Sequence, residues 1–371
     1  MLTKKNTFWN IVFLIIVFTL TIYGVFHGED LGTMLEAVRK ADIKCLIPGI
    51  ILVLFFIWGE SVILWYMMRS FQIRLKKRIC FLFSSVGFFF SCITPSATGG
   101  QPMQIYYMKK EKIPIPVATV ILMVVTITYK LVLVVMGVGI VCFGRKFMQR
   151  YMEEVTPVFY LGVLLNIFCV AFMTMLVFHP DLAEKILRRG MGLLEKFRFL
   201  RHKEERCNKL RESMQIYRET ALYLRNHPGM IFRVIVITFI QRLALFTVTW
   251  LVYLSFGLSG TPVWHVIILQ AVISISVDML PLPGGMGISE ALFLKIFSSV
   301  FGSMTLPAMV LSRGMSYYSE LLLSAVFTLV AQGYYMVKAR SERLAGGMSV
   351  RQPVSDDGGR QIRGVENDRI L

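Results

Sequence analysis

Charge is scarce in this chain: Asp, Glu, Lys and Arg supply 17% of 371 residues, against 55% that are hydrophobic, and the mean hydropathy is +0.62. That balance excludes a water-soluble globule and fits a polytopic membrane protein. Histidine is scarcer still. His27, His179, His202, His227 and His265 lie scattered near the ends of apolar runs, and no HExxH brings two of them together. The six cysteines, Cys45, Cys80, Cys92, Cys142, Cys169 and Cys207, form no CxxC and no Cys/His ligand spacing, so neither a metal site nor a disulfide framework is expected, and no cofactor. GxSxG, P-loop and GxGxxG patterns are missing as well. The chain alone is therefore expected to carry no catalytic residue and to hydrolyse no ATP; any work it does must draw on an ion gradient or a downhill gradient. Acidic residues are the minority charge, giving a formal net charge of +17. The excess of Lys and Arg falls in short loops between apolar runs, as the positive-inside rule expects, so no nucleic-acid partner is implied.

What is present is a series of long apolar runs. A membrane span needs about 20 apolar residues in a row, and six stretches qualify, roughly 8–26, 45–68, 115–143, 155–178, 229–257 and 312–337. Lys4 and Lys5 ahead of the first resemble a secretory signal, but Val25, Phe26 and His27 leave no small-residue cleavage site, so a retained helix is expected. Two further stretches, 80–108 and 262–302, are cut by glycine-proline breaks: TPSATGGQP at Thr94 to Pro102, and LPLPGGMGISE at Leu280 to Glu290. Each half is too short to cross alone, which predicts two re-entrant hairpins. Irregular backbone at membrane depth leaves N–H and C=O groups unpaired unless protein or a water-filled cavity satisfies them, and such breaks in corresponding halves point to a substrate site. The fold expected is all-α, with about six full transmembrane helices and two broken-helix hairpins.

Charge bias orients it. With Lys4 and Lys5 inside, the loop at 69–78 (Arg69, Arg74, Lys76, Lys77, Arg78, no acid) also falls inside, as do Lys109, Lys110, Lys112, the 179–228 loop and the C-terminal tail. Both termini are expected to be cytoplasmic. The two hairpins then enter from opposite sides, as an inverted repeat with halves meeting near 147–157 would require. The 179–228 loop has twelve basic and seven acidic residues, and Leu210, Met214, Tyr217, Ala221 and Leu224 recur at helical spacing. It reads either as a basic helix on the inner leaflet or as a helical hairpin against the bundle. The domain reading is a membrane domain over 1–340 and a disordered tail over 341–371.

Ionisable residues inside spans are costly, at least about 2.5 kcal/mol each at the bilayer centre unless paired or hydrated. They are Glu60, Lys130, Arg242, Asp278, Glu290, Lys295, Arg313 and Glu320. Equal numbers of acids and bases suggest mutual neutralisation around a cavity, with Arg242–Asp278 and Arg313–Glu290 as the expected pairs. Glu290 falls in the first turn after a break, where a helix N-terminus already carries positive partial charge. The expected substrate contacts are Arg242, Asp278, Glu290, Arg313, Glu60, Lys130 and Glu320, with backbone amides of Gly99, Gly100, Gly284 and Gly285 for a phosphate. Lys295 and Arg313 read equally well as snorkelling to an interface.

TPSATGGQP followed by MKKEKIPIPVA, and LPLPGGMGISEALF followed by Ser312, Arg313 and Tyr317, resemble the transmembrane-region family of lysylphosphatidylglycerol synthases, also called the flippase-like domain family. The resemblance covers about residues 8–337. It implies a multi-pass bacterial plasma-membrane domain that moves phosphatidylglycerol or its aminoacylated form between leaflets and supports resistance to cationic antimicrobial peptides. In the full-length synthases a separate soluble domain transfers lysine to the lipid. The 34 residues after Val337 hold no alternating strand and helix pattern, so that chemistry is not expected of this chain. Three functions follow: a translocase for anionic or aminoacylated phospholipid; a lysyltransferase-system component partnered by a soluble aminoacyl-lipid transferase through the basic loop; and a secondary transporter of a small or isoprenoid-phosphate solute. Homo-oligomerisation stays open, because GxxxG-like spacing is too common in such chains to decide it.

Overall fold

The computed structural model describes residues 36, 38–196 and 203–349. The expected span at 8–26 and most of the tail lie outside them. The chain is an all-α polytopic membrane protein, with no strand among the described residues. Among the described residues five segments are long and apolar enough to cross a bilayer: Ile43–Ser70, Ile115–Phe143, Glu153–Phe178, Pro228–Ser255 and the compound Pro283–Ser341.

We number the helices α1 (Ile43–Ser70), α2 (Lys77–Cys92), α3 (Gly100–Lys110), α4 (Ile115–Phe143), α5 (Arg145–Tyr151), α6 (Thr156–Phe178), α7 (Pro180–Lys196), α8 (Lys203–Asn226), α9 (Pro228–Ser255), α10 (Val263–Val277), α11 (Ile288–Phe301), α12 (Thr305–Arg313) and α13 (Ser319–Ser349). Local chemistry sets many of the boundaries. Asp42 caps α1 by accepting the Lys44 N–H at 2.9 Å, and prolines occupy the first turns of α4, α6 and α9, where no intrahelical N–H is needed. A π-helical turn, Gly314–Tyr318, joins α12 to α13. The helix runs on through Ser349, past the expected start of the tail. The described residues up to Val330 form one compact unit, and those from Ala331 on, the distal part of α13, belong to a second.

The bundle is built on α1 and α9, which pack extensively and run antiparallel. Asp42 N–H donates to Ser255 O at 2.8 Å, Gln241 Nε2 to Phe56 O at 2.6 Å, and Arg233 Nη1 to the Tyr66 hydroxyl at 3.3 Å. One end of the molecule thus gathers Asp42 and Ser255, the other Ser70 and the end of α8, where the Tyr223 hydroxyl donates to Ser70 O at 2.9 Å. The hairpin α2–α3 starts and finishes at the Ser70 end, and α10–α11 at the opposite end. Their breaks meet halfway: Ser96 Oγ donates to Leu280 O at 3.2 Å, and the 3-10 turns Pro95–Ala97 and Pro283–Gly285 pack on one another. The two turns share a backbone path. After each proline come two left-handed residues, Ser96 and Ala97 (φ 50° and 55°) in the first and Gly284 and Gly285 (φ 56° and 65°) in the second.

The element series α1, α2, break, α3, α4 therefore recurs as α9, α10, break, α11, α12–α13, with its first helix reversed. This is an inverted repeat over residues 43–143 and 228–330, with α5–α8 inserted between. The halves do not meet at 147–157 as expected; α6 and the hairpin α7–α8 intervene. That hairpin packs on the bundle through the apolar stripe: Met214, Tyr217, Ala221 and Leu224 are buried, and the Tyr217 hydroxyl donates to Leu176 O at 3.1 Å. The stripe is consumed by protein contact, which corrects the leaflet-lying reading for α8.

Candidate functional site

Both breaks contribute to the wall of a cavity of about 700 Å³. Phe56, Tyr129 and Arg242, which stand near the middles of α1, α4 and α9, all line it, so it sits at the mid-depth of the bundle. Of the residues singled out from sequence, Glu60, Lys130, Arg242, Asp278, Gly284, Gly285, Arg313 and Glu320 form its wall. Glu290, Gly99 and Gly100 do not.

Glu290 stands one layer behind. It is 3% exposed, accepts the Gly287 N–H at 2.7 Å to close the first turn of α11, and accepts Arg313 Nε at 2.8 Å. The expected Arg313–Glu290 pair is present, and it holds Arg313 so that Nη2 donates to Gly284 O at 2.9 Å. The other expected pair is not formed. Asp278 ends α10 and takes Lys130 Nζ at 2.5 Å and the Tyr129 hydroxyl at 2.8 Å. Lys130 wins because α4 places two adjacent donors against that helix end. Lys295 is removed from the cavity, paired with Glu154 at 3.1 Å on the exterior.

Arg242 is left over. It is 8% exposed, forms no salt bridge among the described residues, and its Nε is buried without a hydrogen-bond partner. The guanidinium lies 3.4 Å from the Tyr129 ring centroid and 4.8 Å from that of Phe56, so aromatic faces supply part of what water would. A buried polar group without a partner costs roughly 1–3 kcal/mol, more when charged. Glu60 and Glu320 lie within its electrostatic reach. Glu60 instead accepts Gln104 Nε2 at 2.6 Å, and Glu320 Oε1 sits 3.8 Å from Cys92 Sγ.

The glycines act through packing and turn geometry. A Cβ on Gly100 would meet Ser91 Oγ at 2.1 Å, and one on Gly284 would meet the Tyr317 ring at 2.1 Å. The Gly99 N–H is taken by Thr94 Oγ1 at 2.9 Å and the Gly285 N–H by Leu282 O at 3.1 Å, so neither of these two amides is available to a phosphate as they stand.

Sequence reasoning passed over the neutral polar wall: Gln101, Gln104, Tyr129, Gln270 and Ser274. Tyr129 carried a signal, being adjacent to Lys130 in an otherwise apolar run. Tyr129 and Tyr317 follow Pro95 and Pro283 at equal separation, and their contacts correspond. Tyr129 ties the end of α10 through Asp278, while the Tyr317 hydroxyl donates to Cys92 O at the end of α2, 2.9 Å away. Each ring carries an arginine, Arg242 on Tyr129 and Arg313 on Tyr317, the latter at 4.7 Å.

Among the described residues no group of three His, Cys, Asp or Glu could hold a metal ion. No curated protein matches the chain. The model of the lysylphosphatidylglycerol synthase TM region matches residues 9–324, nearly the whole membrane-embedded chain, and the protein belongs to that family.

Proposed function

We propose that the protein is a translocase that passes the headgroup of an anionic or aminoacylated phospholipid through the central cavity while the acyl chains stay in the bilayer. One observation carries the reading: Arg242, at the mid-depth of a cavity, is a buried cation with no anionic hydrogen-bond partner among the described residues, a position that a phosphate would complete. Charge-assisted hydrogen bonds to a phosphate are worth about 1.5–3 kcal/mol, enough to repay its burial. Arg313 is already committed to Glu290 and Gly284, so the phosphate falls to Arg242. Glu60 and Glu320 stand ready for an ammonium on the same headgroup.

The inverted repeat supports alternating access. Tyr129 and Tyr317 each tie one half to the hairpin of the other, and releasing one tie at a time would open the cavity toward one side only. The family supports lipid as the substrate class, because lysylphosphatidylglycerol is the lipid its name carries.

The test is reconstitution of the full chain in liposomes containing lysylphosphatidylglycerol in the inner leaflet, reading outer-leaflet amines with a membrane-impermeant amine reagent. Wild type raises the rate of amine exposure. Arg242→Ala lowers it by about tenfold or more, in line with the loss of one charge-assisted contact, and Arg242→Lys restores part of it. Equal rates for wild type, Arg242→Ala and empty liposomes would sink the reading.

A further inference from the structure

Among the described residues the cavity wall carries three cations and three carboxylates, and a fourth carboxylate, Glu290, stands directly behind it. Lys130 and Asp278 satisfy one another, as do Arg313 and Glu290. What remains is one cation, Arg242, for two acids, Glu60 and Glu320. Arg242 is nine-tenths buried, lines the same cavity, and forms no ion pair with either. Among the described residues each carboxylate accepts one hydrogen bond, from Gln104 for Glu60 and from Cys92 for Glu320, and both line the cavity. The two acids line one cavity, across which Glu60 bears electrostatically on Glu320. At this depth an uncompensated carboxylate costs at least about 2.5 kcal/mol, and two interacting acids with one counter-charge reach neutrality by holding one proton between them.

We propose that Glu60 and Glu320 form a proton-binding site. Hydronium in the cavity gives its proton to one carboxylate, leaving a carboxylic acid and a water molecule; the reverse step releases it once the cavity opens to the other side. A metal cation fits less well, since the pair supplies only two acidic side chains and Arg242 repels a positive ion. The charged and titratable groups that share the cavity wall with the pair are Arg242 from α9, Arg313 from α12, Cys92 from α2, Tyr129 and Lys130 from α4, Cys169 from α6, Asp278 at the end of α10 and Tyr317 from the π-helical turn, with the neutral Gln104 from α3. Arginine cannot give up its proton in this range, so the exchangeable proton belongs to the acids. Proton uptake stands on the cavity alone, while its coupling to lipid movement rests on the translocase reading.

Two measurements separate these claims. Infrared difference spectra of the full chain in nanodiscs, taken between mildly acidic and mildly alkaline buffer, read the carbonyl stretch of a protonated carboxyl. Wild type shows a band that titrates, and the near-isosteric variants Glu60→Gln and Glu320→Gln, checked for folding by size exclusion, each remove or displace it. A band unchanged in both variants overturns the site, as does a band abolished at fixed pH when sodium replaces choline, which would make sodium the occupant. In liposomes, an imposed gradient of one pH unit biases wild-type lipid distribution by up to about tenfold, and Glu320→Gln loses the bias. Lipid movement indifferent to the gradient overturns the coupling. No lipid movement at all, with the titrating band intact, upholds the proton site and overturns the translocase reading instead.

Discussion

Lys130 and Asp278 meet 2.5 Å apart, with their side chains only 10% and 11% exposed, so each is satisfied chiefly by the other. Breaking a buried pair from one side strands a charge and costs about 3–5 kcal/mol, whereas replacing both by apolar groups is close to neutral. Lys130→Met is therefore expected to lower the melting temperature in detergent sharply, and Lys130→Met with Asp278→Leu to recover most of it. A smaller effect of opposite sign is expected at the first break. Ala97 holds φ 55° with a Cβ, where the second break has Gly285 at φ 65°, and left-handed backbone costs an ordinary residue about 1–2 kcal/mol. After the entropy a glycine restores to the unfolded chain, Ala97→Gly is expected to stabilise by about 0.5–1 kcal/mol in the same assay. At this scale the sequence disclosed which charged residues line the cavity better than which of them meet. Every charged side chain on the cavity wall stood out because charge in an apolar run is costly. The Lys130–Asp278 pairing did not, since it depends on α4 crossing the end of α10, a relation with no trace in spacing. Arg313–Glu290 was legible because both follow the second break closely, on neighbouring segments.

The hairpins are the elements that the glycine and proline punctuation revealed most directly: two apolar stretches too short to cross after a break can only turn back. Their contact, break to break, was not legible, because it requires knowing that α1 and α9 run antiparallel through a shared midpoint. The α7–α8 hairpin shows the converse. Its apolar stripe was readable from period alone, but a stripe suits a lipid surface or a helix bundle equally, and only packing chose the bundle. The ties at the hairpin ends make an element-scale prediction. Removing the Tyr317 hydroxyl frees Cys92 O, and removing the Tyr129 hydroxyl frees one of the two contacts on Asp278. A single hydrogen bond contributes about 1 kcal/mol, which corresponds to roughly fivefold faster local opening. Tyr317→Phe should accelerate hydrogen exchange around residues 90–98 and leave 276–282 little changed; Tyr129→Phe should do the reverse. Equal acceleration of both regions in both variants would show that the breaks open together, against alternating access.

For the whole molecule, the contacts fix which ends lie together, and charge decides which faces the cytoplasm. The end holding Ser70 and Tyr223 also carries Lys76, Lys77, Arg78, Lys109, Lys110 and Lys112, while the end holding Asp42 and Ser255 carries the turns after α4 and α9. Arg145, Lys146 and Arg150 sit at that second end, against the simplest bias. Arg150 lies over the Tyr151 ring, 5.4 Å from its centroid, and Glu153 and Glu154 follow directly, with Glu154 paired to Lys295. Because the first end has the denser basic cluster within reach of anionic lipid, it is expected inside. In a background without native cysteines, Thr261→Cys and Lys146→Cys should react with a membrane-impermeant maleimide in intact cells, whereas Lys77→Cys and Lys112→Cys should react only after permeabilisation. The reversed pattern would invert the molecule, and with it the side on which each tyrosine tie opens. The inverted repeat itself would survive that outcome, because it rests on α1 and α9 lying antiparallel and on the two breaks meeting between them, neither of which depends on which side is the cytoplasm.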